Sequence, residues 1–339
     1  MSLARDIADL GSSATALDKV GSNLIMNGAM LVDQRNSGSA VTPVDGTKTL
    51  DRFSTDVTAT GKFSVQQVSD GPDGFINSFK VTSLSAYSVS SSDFLDIAQN
   101  IEGLNVSHLN LGSSNAKVIT LSFYVKSSLT GTFGGSLTNS AYNRSYPYTY
   151  TISSANTWER KTITLTGDTS GTWLTTNGVG LRVVWSMGAG SGRINTAGAW
   201  VGSLALGATG QTNVVATNAA TWQITGVQLE LGSTATDFEH RSFGDELARC
   251  QRYYTTWSSS GLTDNLYMYT PYASGTPPNT SASVGYTFPV TMRANPTMVG
   301  VGLSLNRFTS SIHNAVAQMS STVSNAAYSL ASWTADAEL

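Results

Sequence analysis

From Asn23 onward the chain alternates apolar and polar positions with a period of two. Ile119, Leu121, Phe123 and Val125 are separated by Thr120, Ser122, Tyr124 and Lys126, the pattern of a strand with one buried and one wet face. Val179, Leu181, Val183, Trp185 and Met187 repeat it, with Arg182 and Ser186 facing the other way. Shorter runs at 63–68, 75–81 and 163–165 fit the same scheme. Turn residues such as Asp70-Gly71-Pro72-Asp73-Gly74 and Gly167-Asp168 separate them, because Gly, Asp and Pro supply the dihedrals that reverse a chain. Many short strands punctuated in this way predict a β-sandwich.

The rhythm changes once within a single run. Trp222 and Ile224 share one parity, whereas Val227, Leu229 and Leu231 share the other. One extra residue in a strand reverses every later side chain, and glycine suits such a bulge. The sequence therefore predicts one long strand bent at Gly226, as in the last strand of a jelly roll. Next, Phe243, Leu247, Cys250 and Tyr254 line one face of a helical stretch opened by Ser242. Ser242 and Asp245 approximate a capping box, and Asp245, Glu246, Arg249 and Arg252 are placed as the helix dipole favours. Beyond Trp257, β-type segments resume at 265–272, 282–292, 297–305 and 326–335. The hydroxyl-rich stretches 130–146, 188–199 and 203–219 read as loops, either functional or tolerated insertions. Near the start, Leu3, Ile7 and Leu10 fall at i, i+4 and i+7. So short a helix is marginal in water, which leaves packing on another subunit or a frayed terminus.

These patterns divide the 339 residues into an all-β arrangement with four parts. Residues 1–22 form an N-terminal helical attachment segment and 23–241 a jelly-roll β-sandwich. Residues 242–256 are a helical connector and 257–339 a smaller β-domain, in keeping with a chain too long for one core.

Composition narrows the function. Only 12% of residues are charged and the net charge is −3, with no Lys/Arg cluster among aromatics, so nucleic acid is not an expected partner. Cys250 is the single cysteine, which excludes an intrachain disulfide. No run approaches the roughly 18 apolar residues of a membrane span. Arg5, Asp6 and Asp9 stand where a signal peptide would be apolar, so synthesis in the cytoplasm without membrane insertion is expected.

No catalytic constellation emerges. His108, His240 and His313 lie far apart without metal-ligand spacing, and Cys250 sits on the apolar helix face, so no catalytic residue, metal or cofactor is expected. Segment 69–74 offers oxygens to calcium but lacks the spacing of a helix–loop–helix site. Paired carboxylates, Asp93 with Asp96 or Glu230 with Asp237 and Glu239, leave a polysaccharide-cleaving enzyme as the alternative. Sugars bind by stacking on aromatic faces while their hydroxyls meet polar groups. The stretch Tyr142-Asn143-Arg144-Ser145-Tyr146-Pro147-Tyr148 offers both. Tyr142, Arg144 and Tyr146 are therefore candidate glycan ligands, joined by Trp173 and Trp200, whose Gly and Thr neighbours suggest exposure. Tyr146, Tyr148 and Tyr150 also read as one packed strand face. Trp158, Trp185 and Trp222 fall on core parities.

Several segments together resemble a known family. Asn23-Leu24-Ile25-Met26-Asn27-Gly28-Ala29-Met30, Gln34-Arg35 and Asp51-Arg52-Phe53 resemble the opening of the jelly-roll module in bacteriophage tail-fibre and other virion proteins. Val227-Gln228-Leu229-Glu230-Leu231-Gly232, Ala235-Thr236-Asp237-Phe238-Glu239 and Arg241 resemble its close. Leu121–Ser127 and Thr157-Trp158-Glu159-Arg160 resemble its middle strands, and the stretch 246–254 a linker that follows it. The ends resemble the attachment segment and distal domain of marine phage fibres. The resemblance covers about two thirds of the chain, residues 23–254. It implies a carbohydrate-binding-type jelly roll, assembled as a homotrimer and attached to other virion proteins through Leu3, Ile7 and Leu10; that the chain is not an enzyme is expected from the missing catalytic constellation. The resemblance transfers no ligand and no sugar-contacting residue; with the missing signal peptide and the hydroxyl-rich β composition it leads to the expectation of a virion location with host surface polysaccharide or lipopolysaccharide as partner. A capsid decoration or head-fibre protein is the alternative within the same class.

Overall fold

Alternating strands of this kind must bury one face each, and two sheets packed face to face do so. The computed structural model describes residues 23–258, 266–269, 280–303, 305–321 and 327–339. The attachment residues Leu3, Ile7 and Leu10 lie outside the described residues. The chain separates into two units between Ser242 and Phe243.

The first unit contains β1 (Thr47–Leu50), β2 (Phe53–Val57), β3 (Phe63–Val68), β4 (Ser78–Ser83), β5 (Phe94–Glu102), β6 (Ile119–Ser127) and β7 (Gly131–Thr138). These are followed by β8 (Ser145–Ile152), β9 (Glu159–Leu165), β10 (Val179–Ala189), β11 (Ile194–Asn195), β12 (Gly207–Ala208) and β13 (Thr221–Leu231). A six-stranded sheet has the order β1-β2-β5-β10-β7-β8 and a five-stranded sheet the order β3-β4-β13-β6-β9, the jelly-roll arrangement. Leu121, Phe123 and Val125 of β6 meet Leu181, Val183 and Trp185 of β10 in one fully buried cluster. Phe123 presents its edge to Trp185 at 6.0 Å and to Tyr150 at 5.1 Å, a preferred aromatic geometry.

The bend at Gly226 is present. Its φ is +60°, and the ladder between β13 and β6 shifts register between Thr225 and Gln228, so Val227 and Leu229 turn inward like Trp222 and Ile224 before them. Past Ile224, β13 leaves β4, and residues 23–28 take the vacated edge. Val227 N–H donates to the Gly28 carbonyl at 2.9 Å and Leu24 N–H to the Leu229 carbonyl at 2.9 Å. A Cβ on Gly28 would lie 2.2 Å from the Val227 oxygen, so only glycine admits this approach.

Several expectations are corrected. Segment 130–146 is not a loop but contains β7 and the start of β8. Its glycines look like breakers, yet a Cβ on Gly135 would meet the Val184 oxygen at 2.2 Å and the Tyr148 ring at 2.5 Å; they permit close packing within a sheet. Segment 203–219 carries the buried Leu206, Val214 and Val215. Trp158 is not core: it lies under the Lys126 ammonium, 5.0 Å from its centroid.

The second unit opens with the helix Phe243–Gln251. Phe243, expected on its buried face, is 57% exposed, whereas Glu246 and Cys250 are buried. Strands β14 (Tyr254–Ser258), β15 (Leu266–Tyr269), β16 (Thr280–Thr287), β17 (Thr297–Leu303), β18 (Leu305–Ser310), β19 (Asn314–Ser321) and β20 (Ala327–Asp336) follow. Tyr254 thus begins a strand where a connector was expected. β20 pairs with β14, β15 and β17, and β16-β19-β18 form a second sheet. Phe288, Met292 and Trp333 anchor a small core.

Asn23 closes the sandwich. Its Oδ1 accepts from Ile25 N–H at 3.0 Å and Leu229 N–H at 3.1 Å, and its Nδ2 donates to the Val227 carbonyl at 3.0 Å. Asn23→Ala strands buried backbone groups of Leu229 and Val227, each worth about 1–3 kcal/mol when unpaired. A loss of about 2–4 kcal/mol in stability by urea denaturation is the expected outcome.

Candidate functional site

Inward-facing Leu181, Val183 and Trp185 leave Arg182 and Val184 on the outer face of the six-stranded sheet, beside Asp96 and Ala98 of β5 and Asp56 of β2. Asp56 pairs with Asp96 across β2 and β5. Leu204 and Leu206, from the excursion between β11 and β12, pack on Ala98, Val184 and Phe94. Between this apolar ridge and Tyr142 lies an open recess of about 260 Å³, lined by Asp45, Asp56, Phe94, Tyr142, Arg182, Leu204 and Leu206.

Arg182 organises the recess. It pairs with Asp56, donates to Asp96 Oδ1 at 3.0 Å and reaches the Tyr142 hydroxyl at 3.1 Å. Its guanidinium carbon is 5.8 Å from the Tyr142 ring centre, within cation–π range. Tyr142 is 44% exposed and has a φ of +54°, a left-handed conformation that is costly for a bulky residue. Asn139 imposes it: its carbonyl accepts from Tyr142 N–H at 3.2 Å, and its Oδ1 accepts from the Asn143 and Arg144 amides at 3.1 and 3.2 Å. The loop is thus built to hold an aromatic plate outward.

Two carboxylates sharing one guanidinium cannot be equally ionised. Burial pushes the Asp96 carboxyl up to about 8, the attraction of Arg182 failing to offset it and the Asp56 charge adding to it. Burial also opposes the Arg182 charge, but Asp96 and Asp56 outweigh it and hold the guanidinium above its usual value. Asp96 is fully enclosed, so the recess presents Asp45 and Asp56 to a ligand, not an accessible acid–base pair.

The five candidate ligands separate. Tyr142 borders the recess. Arg144 is held by Asp168 in a bidentate pair, Nε to Oδ2 and Nη2 to Oδ1, both 2.7 Å, and donating to that carboxylate raises its pKa. Tyr146, a candidate ligand that also read as part of a packed strand face, is buried with Tyr148 and Tyr150, because β8 turns that parity inward. Trp200 packs edge-on against both Tyr146 and Trp173, each at 5.3 Å, while its indole N–H donates to the Thr166 carbonyl at 2.7 Å. Trp173 ends this aromatic series at a smaller recess of about 190 Å³ with Asn110, Ser113 and Leu174. Sequence reasoning passed over Arg182, Asp56, Phe94, Leu204 and Leu206. The signal for Arg182 was a charged residue at outward parity in an otherwise apolar strand.

Three of the other acidic groups weighed for chemistry are structural. Asp93 accepts from the Tyr87 hydroxyl and the Ser90 amide, both at 2.7 Å, and Glu230 accepts from Thr236 Oγ1 at 2.7 Å and its amide at 2.9 Å. Asp70, in the segment weighed for calcium, pairs with Lys126. Among the described residues no His, Cys, Asp or Glu group is arranged to hold a metal ion.

The fold and recess define a jelly-roll β-sandwich with an aromatic, charge-braced surface recess on one sheet. No family model and no curated protein matches the chain. Among solved structures, the enzymatically active domain of tailspike protein 4 from bacteriophage CBA120 is similar at 12% identity and a TM-score of 0.34, over 62% of this chain and 21% of that one. The family 11 carbohydrate-binding module of Clostridium thermocellum, solved with a β-1,3-1,4-mixed-linked tetrasaccharide, is similar at 12% identity and a TM-score of 0.31, over 59% and 97%. The xylan-binding CBM22-1 domain of Paenibacillus barcinonensis Xyn10C is similar at 10% identity and 0.26, over 59% and 99%.

The Asp96 carboxyl binds its proton more tightly in the folded chain than at its ordinary value of 3.8. Its contribution to stability is therefore complete below that value and is lost as pH rises to about 8. Comparing urea midpoints of the native protein and Asp96→Asn across this range should show the native protein losing stability relative to the variant as pH rises. A constant difference would show that Asp96 keeps its ordinary ionisation.

Proposed function

We propose that the chain binds surface glycans through the outer face of its six-stranded sheet, as the receptor-binding part of a virion appendage of the tail-fibre type. The observation that carries the glycan reading is Tyr142, whose left-handed backbone holds a 44% exposed side chain beside Arg182. A pyranose stacks on such a ring through its C–H face, and its hydroxyls then meet Asp45, Asp56 and the Tyr142 hydroxyl. Leu204, Leu206 and Phe94 give the opposite wall an apolar surface. With two accessible carboxylates and an already paired arginine, the recess suits neutral sugars better than acidic ones.

The virion setting rests on the phage-type segments, whose opening and closing residues are those that join Asn23 to Val227 and Leu229. A fold alone assigns no partner, so trimeric assembly, attachment through Leu3, Ile7 and Leu10 and a host polysaccharide or lipopolysaccharide receptor belong to this proposal. Immunogold labelling of intact particles separates a tail location from a capsid one.

Glycan-array binding by residues 23–339 should be weakened about tenfold by Tyr142→Ala, the order expected for one aromatic contact. Thermal unfolding should hardly change, since the ring is exposed. Absence of wild-type binding to every bacterial surface glycan tested would overturn the proposal.

A further inference from the structure

The bulge that bends β13 also opens the outer face of the other sheet. Gly226 has no side chain, and a Cβ there would lie 2.7 Å from the Phe75 ring and 2.9 Å from the Tyr124 ring. Both rings therefore settle onto the strand. Phe75, from the turn between β3 and β4, lies 5.4 Å from Tyr124 and 5.0 Å from Phe238, centre to centre. The His240 ring caps the group at 4.9 Å from Phe238. These aromatics border a recess of about 200 Å³ together with Asp73, Asp237, Arg160 and Ser122.

The polar groups around those rings have unused capacity. Asp73 and Asp237 are exposed and form no ion pair among the described residues. Arg160 gives one N–H to the Thr236 carbonyl, which leaves donors of its five-donor fork available. Two acceptors, a fixed cation and an imidazole thus ring an aromatic wall. This combination stacks one face of a sugar and hydrogen-bonds its hydroxyls, and its surplus of one negative charge disfavours uronic acids.

We infer that this recess is a second saccharide site, specific for a neutral hexopyranose, on the five-stranded sheet. It rests on the glycan reading given above but uses none of the same residues. The outer faces of two packed sheets point away from each other, so one sandwich engages two sugar units that cannot lie in the same groove. A polymer with many repeats is then held by two weak contacts at once, and loss of either costs avidity out of proportion to its own affinity.

His240 is one of three histidines in the chain, so its imidazole signal in proton NMR, assigned through His240→Gln, reports on this recess alone. The full chain is titrated with glucose, galactose, mannose, N-acetylglucosamine and, as the disfavoured control, glucuronic acid. A saturable shift of the His240 signal with at least one neutral sugar is expected. It should persist in Tyr142→Ala and be at least tenfold weaker in Phe238→Ala, whose folding is checked by unchanged β6 and β10 amide signals. A His240 signal unmoved by every sugar, while amides around Tyr142 respond, would overturn the second site and leave the first standing. Silence at both places would overturn both.

Discussion

One buried amide, Asn23, holds residues 23–28 against the last sandwich strand. Gly226 makes this necessary. The bulge bends β13 away from β4, which pairs with it only over Thr221–Ile224, and strips Val227 of its partners on β6. Buried backbone groups cannot be left unpaired without a cost of about 1–3 kcal/mol each. Residues 23–28 supply the replacements, and Arg241 locks them from outside by donating to the Asn23 and Ile25 carbonyls. Gln228 then ties the following turn back, donating to Glu230 and Thr236 and accepting from the Glu239 amide. Bulge, residues 23–28 and closing turn form one hydrogen-bonded unit, so none is removable alone.

Arg182 plays the corresponding part on the other sheet, with a different balance. Burying a guanidinium is unfavourable unless charges accompany it, and here two carboxylates compete for it, one of them retaining its proton near neutral pH. Such a knot adds little net stability compared with apolar packing. What it secures is position, because the same guanidinium that joins β2, β5 and β10 also reaches the Tyr142 hydroxyl. The left-handed backbone of Tyr142 and the charge knot under it are both energetically expensive, and both converge on one exposed ring. Core packing explains neither.

How much of this was legible in the sequence depended on whether a residue's partner was local. Strands β6 and β10 were readable because their alternation is uninterrupted, and the bend in β13 because a parity change coincides with a glycine. Strand β7 was not, since Gly134 and Gly135 mimic breakers; what requires them is distant in sequence, the Gln211 side chain for Gly134 and the Val184 carbonyl and Tyr148 ring for Gly135. Phe243 was read as buried from helical spacing, yet tertiary context buried Glu246 instead. For the recess, Tyr142 could be named from its neighbours. Tyr146 could not be told from a core tyrosine without knowing which way β8 faces, and Arg144 could not be withdrawn from the site until Asp168, 24 residues on, was seen to occupy it.

The low charge content acquires a physical sense from these surfaces. With 12% charged residues, much of the polar exterior consists of hydroxyl and amide groups, which exchange hydrogen bonds with water or with sugar hydroxyls at similar energy. The charges that do occur in the two recesses are mostly constrained: Arg182 by its two aspartates, Arg160 by the Thr236 carbonyl. A surface of this kind discriminates through the placement of aromatic rings rather than through Coulomb attraction. Under the proposed glycan reading, its affinity for a single sugar is correspondingly low. On that reading, outward recesses on both sheets offset the weakness by repetition along a polymer, and they need no deep cavity that a closed sandwich core could not spare.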